Sequence, residues 1–271
     1  MSLSSFLLRS VWGKTLWDQR RSLLGWMAAT AGVTFLIGSM WPSVQAQSDQ
    51  FQELIETYPP ALKALFSINE ISTPAGFLQT QLFSATLPVL FLVYAISRGA
   101  DLLAGEEERG ALDVLVAHPL PRGGIVLQKA VALALGALAL SVALLVGLAG
   151  VNAVYGMGIP FVHLLAAATL LGLLALGFGA LALALGAFRG RKGFTAALTT
   201  AAAASAFLLA TLGKLAEGAE GLRWASPFAH VLEAAPLVNG FSLGGALLLV
   251  ALPLVLVPLA MWAFERRDLG A

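Results

Sequence analysis

Six apolar stretches, each close to the length of a bilayer crossing, alternate with short segments that hold almost all of the charge. They cover residues 23–44, 77–100, 125–154, 161–188, 194–212 and 243–264. A hydrocarbon core of about 30 Å takes roughly 20 helical residues, so each stretch predicts one spanning helix. The third is the longest, about 45 Å at about 1.5 Å per residue. Its first turns, with Gln128 and Lys129, are expected to project beyond the membrane. Ahead of the first stretch, Phe6, Leu8, Val11, Trp12 and Leu16 alternate with Arg9, Lys14, Asp18, Arg20 and Arg21. Steps of three and four predict an amphipathic helix over residues 1–22, and its tryptophans and basic face suit the membrane interface. A topogenic anchor and a contact for a cytoplasmic partner are equally good uses for it.

Two connections are long. Residues 45–76 predict two short helices hinged at Pro59 and Pro60. Thr73 followed by Pro74 is a cap with proline at the first helical position, which predicts the start of the second spanning helix. Residues 213–240 predict a short helix opened by Ser226 and Pro227 and ended by Pro236. Neither connection is long enough for a core of its own. Val44-Gln45-Ala46 resembles a cleavage site, but the preceding apolar run is longer than the 7–15 residues or so of a signal core. It also carries Trp26 and Trp41, so the first span is expected to be retained.

Composition agrees with a membrane protein. Of 271 residues, 58% are hydrophobic and 11% charged, against roughly 25% charged in soluble domains, and mean hydropathy is +0.84. The lysines and arginines set the orientation. With both termini in the cytoplasm, 13 of the 16 fall inside and only Lys63, Lys214 and Arg223 fall outside. The net charge of +1 gives no basic field for nucleic acid, and the absence of cysteine excludes disulfides and thiolate chemistry. His118, His163 and His230 are too scattered for a metal motif, so no metal site is expected.

Within the spans, small residues recur at 132, 136, 139, 143, 147 and 150, and as the pairs Ala175/Gly179 and Ala182/Gly186. Such stripes let backbones approach closely, and packing within the chain is their simplest use. The fifth span, rich in alanine and threonine, is expected to face other protein or an aqueous path. Gln79, Gln81, Thr86 and Tyr94 on the second span, with Thr199 and Thr200 on the fifth, are candidate path residues. Pro88 interrupts the second span's hydrogen-bond ladder. No catalytic set assembles. Gly13-Lys14-Thr15 lacks the glycine five residues earlier that a phosphate-binding loop requires, since position 8 is leucine. Deep carboxylates of the kind an ion-coupled carrier uses are also missing.

One segment exceeds the needs of a simple turn. Residues 101–124, between the second and third spans, carry Asp101, Glu106, Glu107, Glu108, Arg109, Asp113 and Arg122. From Gly110 to residue 117 the pattern predicts a short helix with Leu112, Leu115 and Val116 on one face, stopped by Pro119 and Pro121. Its charges offer a complementary surface for a soluble partner.

"AGEEERGALDVLVAHPLPRGGIVLQK" resembles the signature of the type 2 (export) ABC-transporter permeases. The shared positions are Glu107, Glu108, Gly110, Leu112, Asp113, Leu115, Ala117, Pro119, Arg122 and Lys129. "KTLWDQRRSLLGW", "ISTPAGFLQTQLFS", "SPF" and the basic "ERRDLG" end agree, so the resemblance covers nearly the whole chain. Ala111, and Leu120-Pro121 before Arg122, depart from it. The resemblance implies an all-α integral membrane protein of six spans, comprising residues 23–271, with the loop over 101–124 acting as a coupling helix. It implies a separate ATP-binding subunit that holds ATP and magnesium, and a second permease copy or homologue. Glu106, Glu107, Glu108, Arg109, Gly110 and Asp113 would contact that ATPase, Leu112 and Leu115 would seat the helix, and Arg122 would anchor its exit. The chain itself would hydrolyse nothing and hold no cofactor. The implied role is export of a hydrophobic or amphipathic substrate, a drug, lipid or lipid-linked compound, from a prokaryotic inner (plasma) membrane. The alternative is a non-transporting scaffold or sensor on the same fold, and after it a secondary carrier.

Overall fold

The structure, a computed structural model, describes residues 11–47, 73–112, 121–212, 224–232 and 234–267. Every regular element among them is helical, and six helices are long and apolar enough to cross a membrane. They run up and down, so the described parts of both ends of the chain lie at one end of the bundle. That end carries most of the ion pairs and is called here the charged end.

Helix α1 (Val11–Gly38) is continuous. The expected boundary at residue 22 has no break in the backbone, because the stretch from Val11 onward packs on a neighbouring helix rather than turning aside. Val11 N–H donates to Gln128 Oε1 at 2.9 Å, and Thr15 is buried. The buried hydroxyls of Thr30 and Thr34 donate to the carbonyls of Trp26 and Thr30, so α1 hides no unsatisfied oxygen there. A short α2 (Trp41–Gln45) closes its far end, with Trp41 tilted against Phe77.

The second crossing differs from its expected form. Thr73 does cap α3 (Pro74–Leu78), accepting from Gly76 N–H at 3.1 Å. The helix then widens into a π-turn, Gln79–Phe83, and breaks at Ala85, whose φ is −151°. It restarts as α4 (Thr86–Ala100). Pro88 explains the break: its ring collides with the carbonyl of residue 84 in a continuous helix. The crossing therefore runs from Thr86 through a second π-turn, Asp101–Gly105, into α5 (Glu106–Glu108). Gly110, with φ +67°, ends it in the left-handed conformation that glycine adopts without strain. Ala111 and Leu112 are helical again, and residues 113–120 lie outside the described residues.

Helices α6 (Arg122–Val154) and α7 (Phe161–Arg189) follow, joined by a tight turn. The Asn152 amide both donates to and accepts from the backbone of Ile159 across that turn. α7 is the central helix and packs on α4, α6, α8 (Lys192–Leu212) and α11 (Leu243–Arg266). The small residues serve this packing. A Cβ on Gly99 would collide with Gly179 O, one on Gly136 with the Tyr94 hydroxyl, and one on Gly38 with Val151. At the far end lies α9 (Ala229–Leu232), and Pro236 opens α10 (Pro236–Asn239) rather than stopping a helix. Its missing N–H is free at a first helical position. The Leu237 N–H donates to Gln79 Oε1 at 3.3 Å, and Leu237 O lies 3.1 Å from His163 Nδ1. These contacts hold α10 against α3 and α7.

Candidate functional site

At the charged end the continuation of α4 places four carboxylates in two successive turns, and each is engaged within the chain. Glu106 Oε2 lies 2.6 Å from Lys129 Nζ on α6. Glu107 pairs with Arg267 just past α11, with Arg267 Nη1 donating to Oε2 at 3.0 Å. Glu108 Oε1 accepts from the backbone N–H of Lys192 at 2.9 Å, capping the N-terminus of α8 as a carboxylate does well. Asp101 accepts from Lys192 Nζ at 2.6 Å and from Arg109 at 2.9 Å. One short acidic segment thus ties down the start of α6, the start of α8 and the end of α11.

Lys129 is completely buried, whereas Glu106 retains 20% of its side-chain exposure. Lys129 therefore stands within the protein at the charged end, where an ammonium removed from water needs a counter-charge at contact distance. Gly190 makes room for the Glu107–Arg267 pair. Its φ is +60°, and a Cβ there would collide with both charged groups.

The sequence-predicted coupling residues divide by position. Glu106, Glu107 and Glu108 are committed to the clamp, and Arg109, the most exposed member, bonds Asp101. Gly110 makes the left-handed turn beyond them. Leu112 is buried in a small core with Leu102, Leu103 and Phe264. Arg122 Nη1 donates to Arg267 O at 2.8 Å, which anchors the entry to α6. Asp113 and Leu115 lie outside the described residues. Asp101, Lys192 and Arg267 were not singled out in the sequence as partners of the loop, although Asp101 belongs to its charge run. The available signal was a set of opposite charges at the ends of four spans on the same side.

A second feature runs between α4 and α8. A groove of about 310 Å3 is walled by Pro88, Leu92, Ile96, Ala204 and Phe207, with Thr200 as the polar exception. The second and fifth spans therefore do share a surface, but of the candidate path residues only Thr200 lines it. Gln79 is buried against α10, and Tyr94 packs edge-on to Trp26 with ring centroids 6.0 Å apart, on the side of α1 and α6. Thr199 donates to Thr195 O within the buried face of α8. Gln81 and Thr86 are exposed at the break before α4. Opposite its buried face, α8 leaves Ala197, Leu198, Ala201, Ala204 and Leu208 uncovered.

No curated protein matches the chain. The family described as "ABC-2 family transporter protein" matches residues 10–269, nearly the whole length. The chain belongs to that family and is a multi-pass membrane permease subunit of an ABC transporter.

Proposed function

We propose that the chain is the membrane half of an exporter for hydrophobic or amphipathic compounds, working as two copies with two ATP-binding subunits in a prokaryotic inner membrane. The groove between α4 and α8 carries this reading. Its wall is apolar almost throughout, which suits an alkyl or aromatic cargo and offers nothing to hold a small ion. The uncovered alanines of α8 flank the groove, so a second copy packed there would close it into a shared central path. With the lysine and arginine bias placing the charged end in the cytoplasm, the ATPase docks at residues 109–122, through Arg109, Gly110, Asp113 and Leu115, while buried Leu112 seats the segment on the bundle. Closure of the ATPases around ATP and magnesium displaces that segment. The clamp at Glu106–Glu108 transmits the displacement to α6, α8 and α11, and α4 and α8 separate at the groove.

The experiment is reconstitution of the permease with its ATP-binding subunit in proteoliposomes. Leu92→Trp, which fills the groove, is expected to abolish cargo-stimulated ATP turnover and transport while the complex still co-purifies. Transport unchanged in Leu92→Trp removes the groove from the path and with it the argument for apolar cargo.

A further inference from the structure

A cavity of about 460 Å3 opens at the charged end between α1, the continuation of α4 and the first turns of α6. Its charges do not cancel locally. Of the lining residues, Glu106 meets Lys129 and Asp101 meets Arg109; Lys192, which also meets Asp101, lies outside the cavity, where its backbone N–H donates to Glu108. That leaves Lys14 and Arg98 against the single carboxylate of Asp18. Among the described residues neither Lys14 nor Arg98 has an ion-pair partner, and Arg98, half-buried, donates only to the hydroxyl of Ser22. A guanidinium held beside an apolar bundle with a neutral partner is poorly compensated. The local excess is one positive charge.

The depth of the cavity indicates what supplies the counter-charge. Trp17, one turn from Lys14 on α1, is exposed and carries the guanidinium of Arg20 over its ring at 3.9 Å. That pairing of indole and arginine is typical of the membrane–water interface. In line with Lys14 and Asp18 along the apolar part of α1, Gly25, Ala29, Gly32 and Leu36 are exposed. A ligand with an anionic head in the cavity therefore has an acyl-compatible surface running away from it.

We infer that this cavity is a binding site for the phosphodiester headgroup of a membrane lipid, with Lys14 and Arg98 as its anion ligands. A phosphodiester carries one negative charge, which matches the excess. The planar guanidinium fits two of its oxygens, and the lysine adds a point charge. The site serves a lipid whether that lipid is cargo or a resident ligand, so its failure leaves the exporter reading standing.

Native mass spectrometry of the full-length chain in a nonionic detergent tests it, with dioctanoyl phosphatidylglycerol as the probe and dioctanoylglycerol as its uncharged counterpart. One saturable molecule of the phospholipid is expected, with little retention of the diacylglycerol. Lys14→Gln and Arg98→Gln are each expected to weaken binding about tenfold, the scale of one lost charge-assisted contact. Arg191→Gln, at the same end but off the cavity, is expected to leave it unchanged. Because Arg98→Gln also removes the bond to Ser22, exposed Lys14 is the decisive position. Unchanged affinity in Lys14→Gln, or equal retention of the uncharged lipid, overturns the site. Displacement of the phospholipid by inorganic phosphate at comparable concentration overturns the lipid assignment.

Discussion

Removing the carboxylate of Glu106 is expected to harm the protein more than removing the ammonium it meets. The two groups lie 2.6 Å apart, but their surroundings differ: Lys129 has no exposed side-chain surface and Glu106 keeps 20% of its own. Taking one partner from a buried pair costs about 3–5 kcal/mol, because the other charge is left uncompensated. That range applies to Glu106→Ala, which strands the ammonium where water does not reach. Lys129→Met leaves the carboxylate at an edge, free to turn to solvent, and puts an apolar side chain of similar length into an apolar place. Its cost falls toward that of a partly exposed pair, about 1 kcal/mol or less.

At about 2–4 °C per kcal/mol for chains near this size, Glu106→Ala lowers the midpoint by roughly 6–20 °C and Lys129→Met by about 4 °C or less. The assay heats detergent-solubilised protein and measures the fraction that remains monodisperse by size exclusion with tryptophan fluorescence. The double variant Glu106→Ala/Lys129→Met should melt near Lys129→Met, since residues in contact are not additive. Equal losses in the two single variants, or a double variant equal to their sum, refute the claim that burial of Lys129 controls the pair.

Gly190→Ala combines a positive φ with a collision against Glu107 and Arg267, so it should lower the same melting midpoint more than Gly110→Ala. The latter meets open space and pays only the left-handed penalty of about 1–2 kcal/mol. Single cysteines at Ala197, Ala201 and Ala204, clean probes in a chain without cysteine, should crosslink two copies, whereas labelling only by lipid-soluble reagents places the interface elsewhere. Tyr94→Phe should leave transport unchanged, because Tyr94 faces α1 and α6, while Thr200→Leu on the groove should alter it. Reversing Glu106, Glu107 and Glu108 to lysine together should lower the yield of folded permease even without the ATPase, and a stable triple variant that merely fails to bind its partner would show that the clamp is dispensable.

The spans were legible because membrane crossing imposes one strong constraint, a run of about 20 apolar residues in a helix. Thr73–Pro74 was legible for the same kind of reason, since a cap is local chemistry. The helix of the second crossing runs from Thr86 to Glu108, nine and eight residues beyond the bounds of the apolar stretch at 77 and 100. Hydropathy averages over a window and cannot see that Pro88 forces a restart at Thr86, nor that Asp101 and Glu106–Glu108 continue the helix while their charges are neutralised by α6, α8 and α11. The candidate path residues divide for a different reason. A polar side chain in a span reads alike whether it lines a groove, as Thr200 does, or bonds inside the bundle, as Gln79 and Thr199 do.

The engagement of the acidic residues within the chain changes what they contribute to the proposed coupling. A carboxylate facing a partner adds rim contacts worth about 0.2–1 kcal/mol each, and these can be lost without disturbing the permease. Glu106, Glu107 and Glu108 instead join the end of the second crossing to three other helices, at Lys129, Lys192 and Arg267. A force applied beyond Gly110 reaches all four helices through these ties, whereas a flexible loop would dissipate it. In the proposed mechanism Gly110 would let the docking segment change direction, and the clamp would keep the bundle from yielding locally. On this account weakening the clamp and weakening the docking surface are separable defects. The first loosens the permease by itself, and the second leaves a sound permease that its ATPase cannot move.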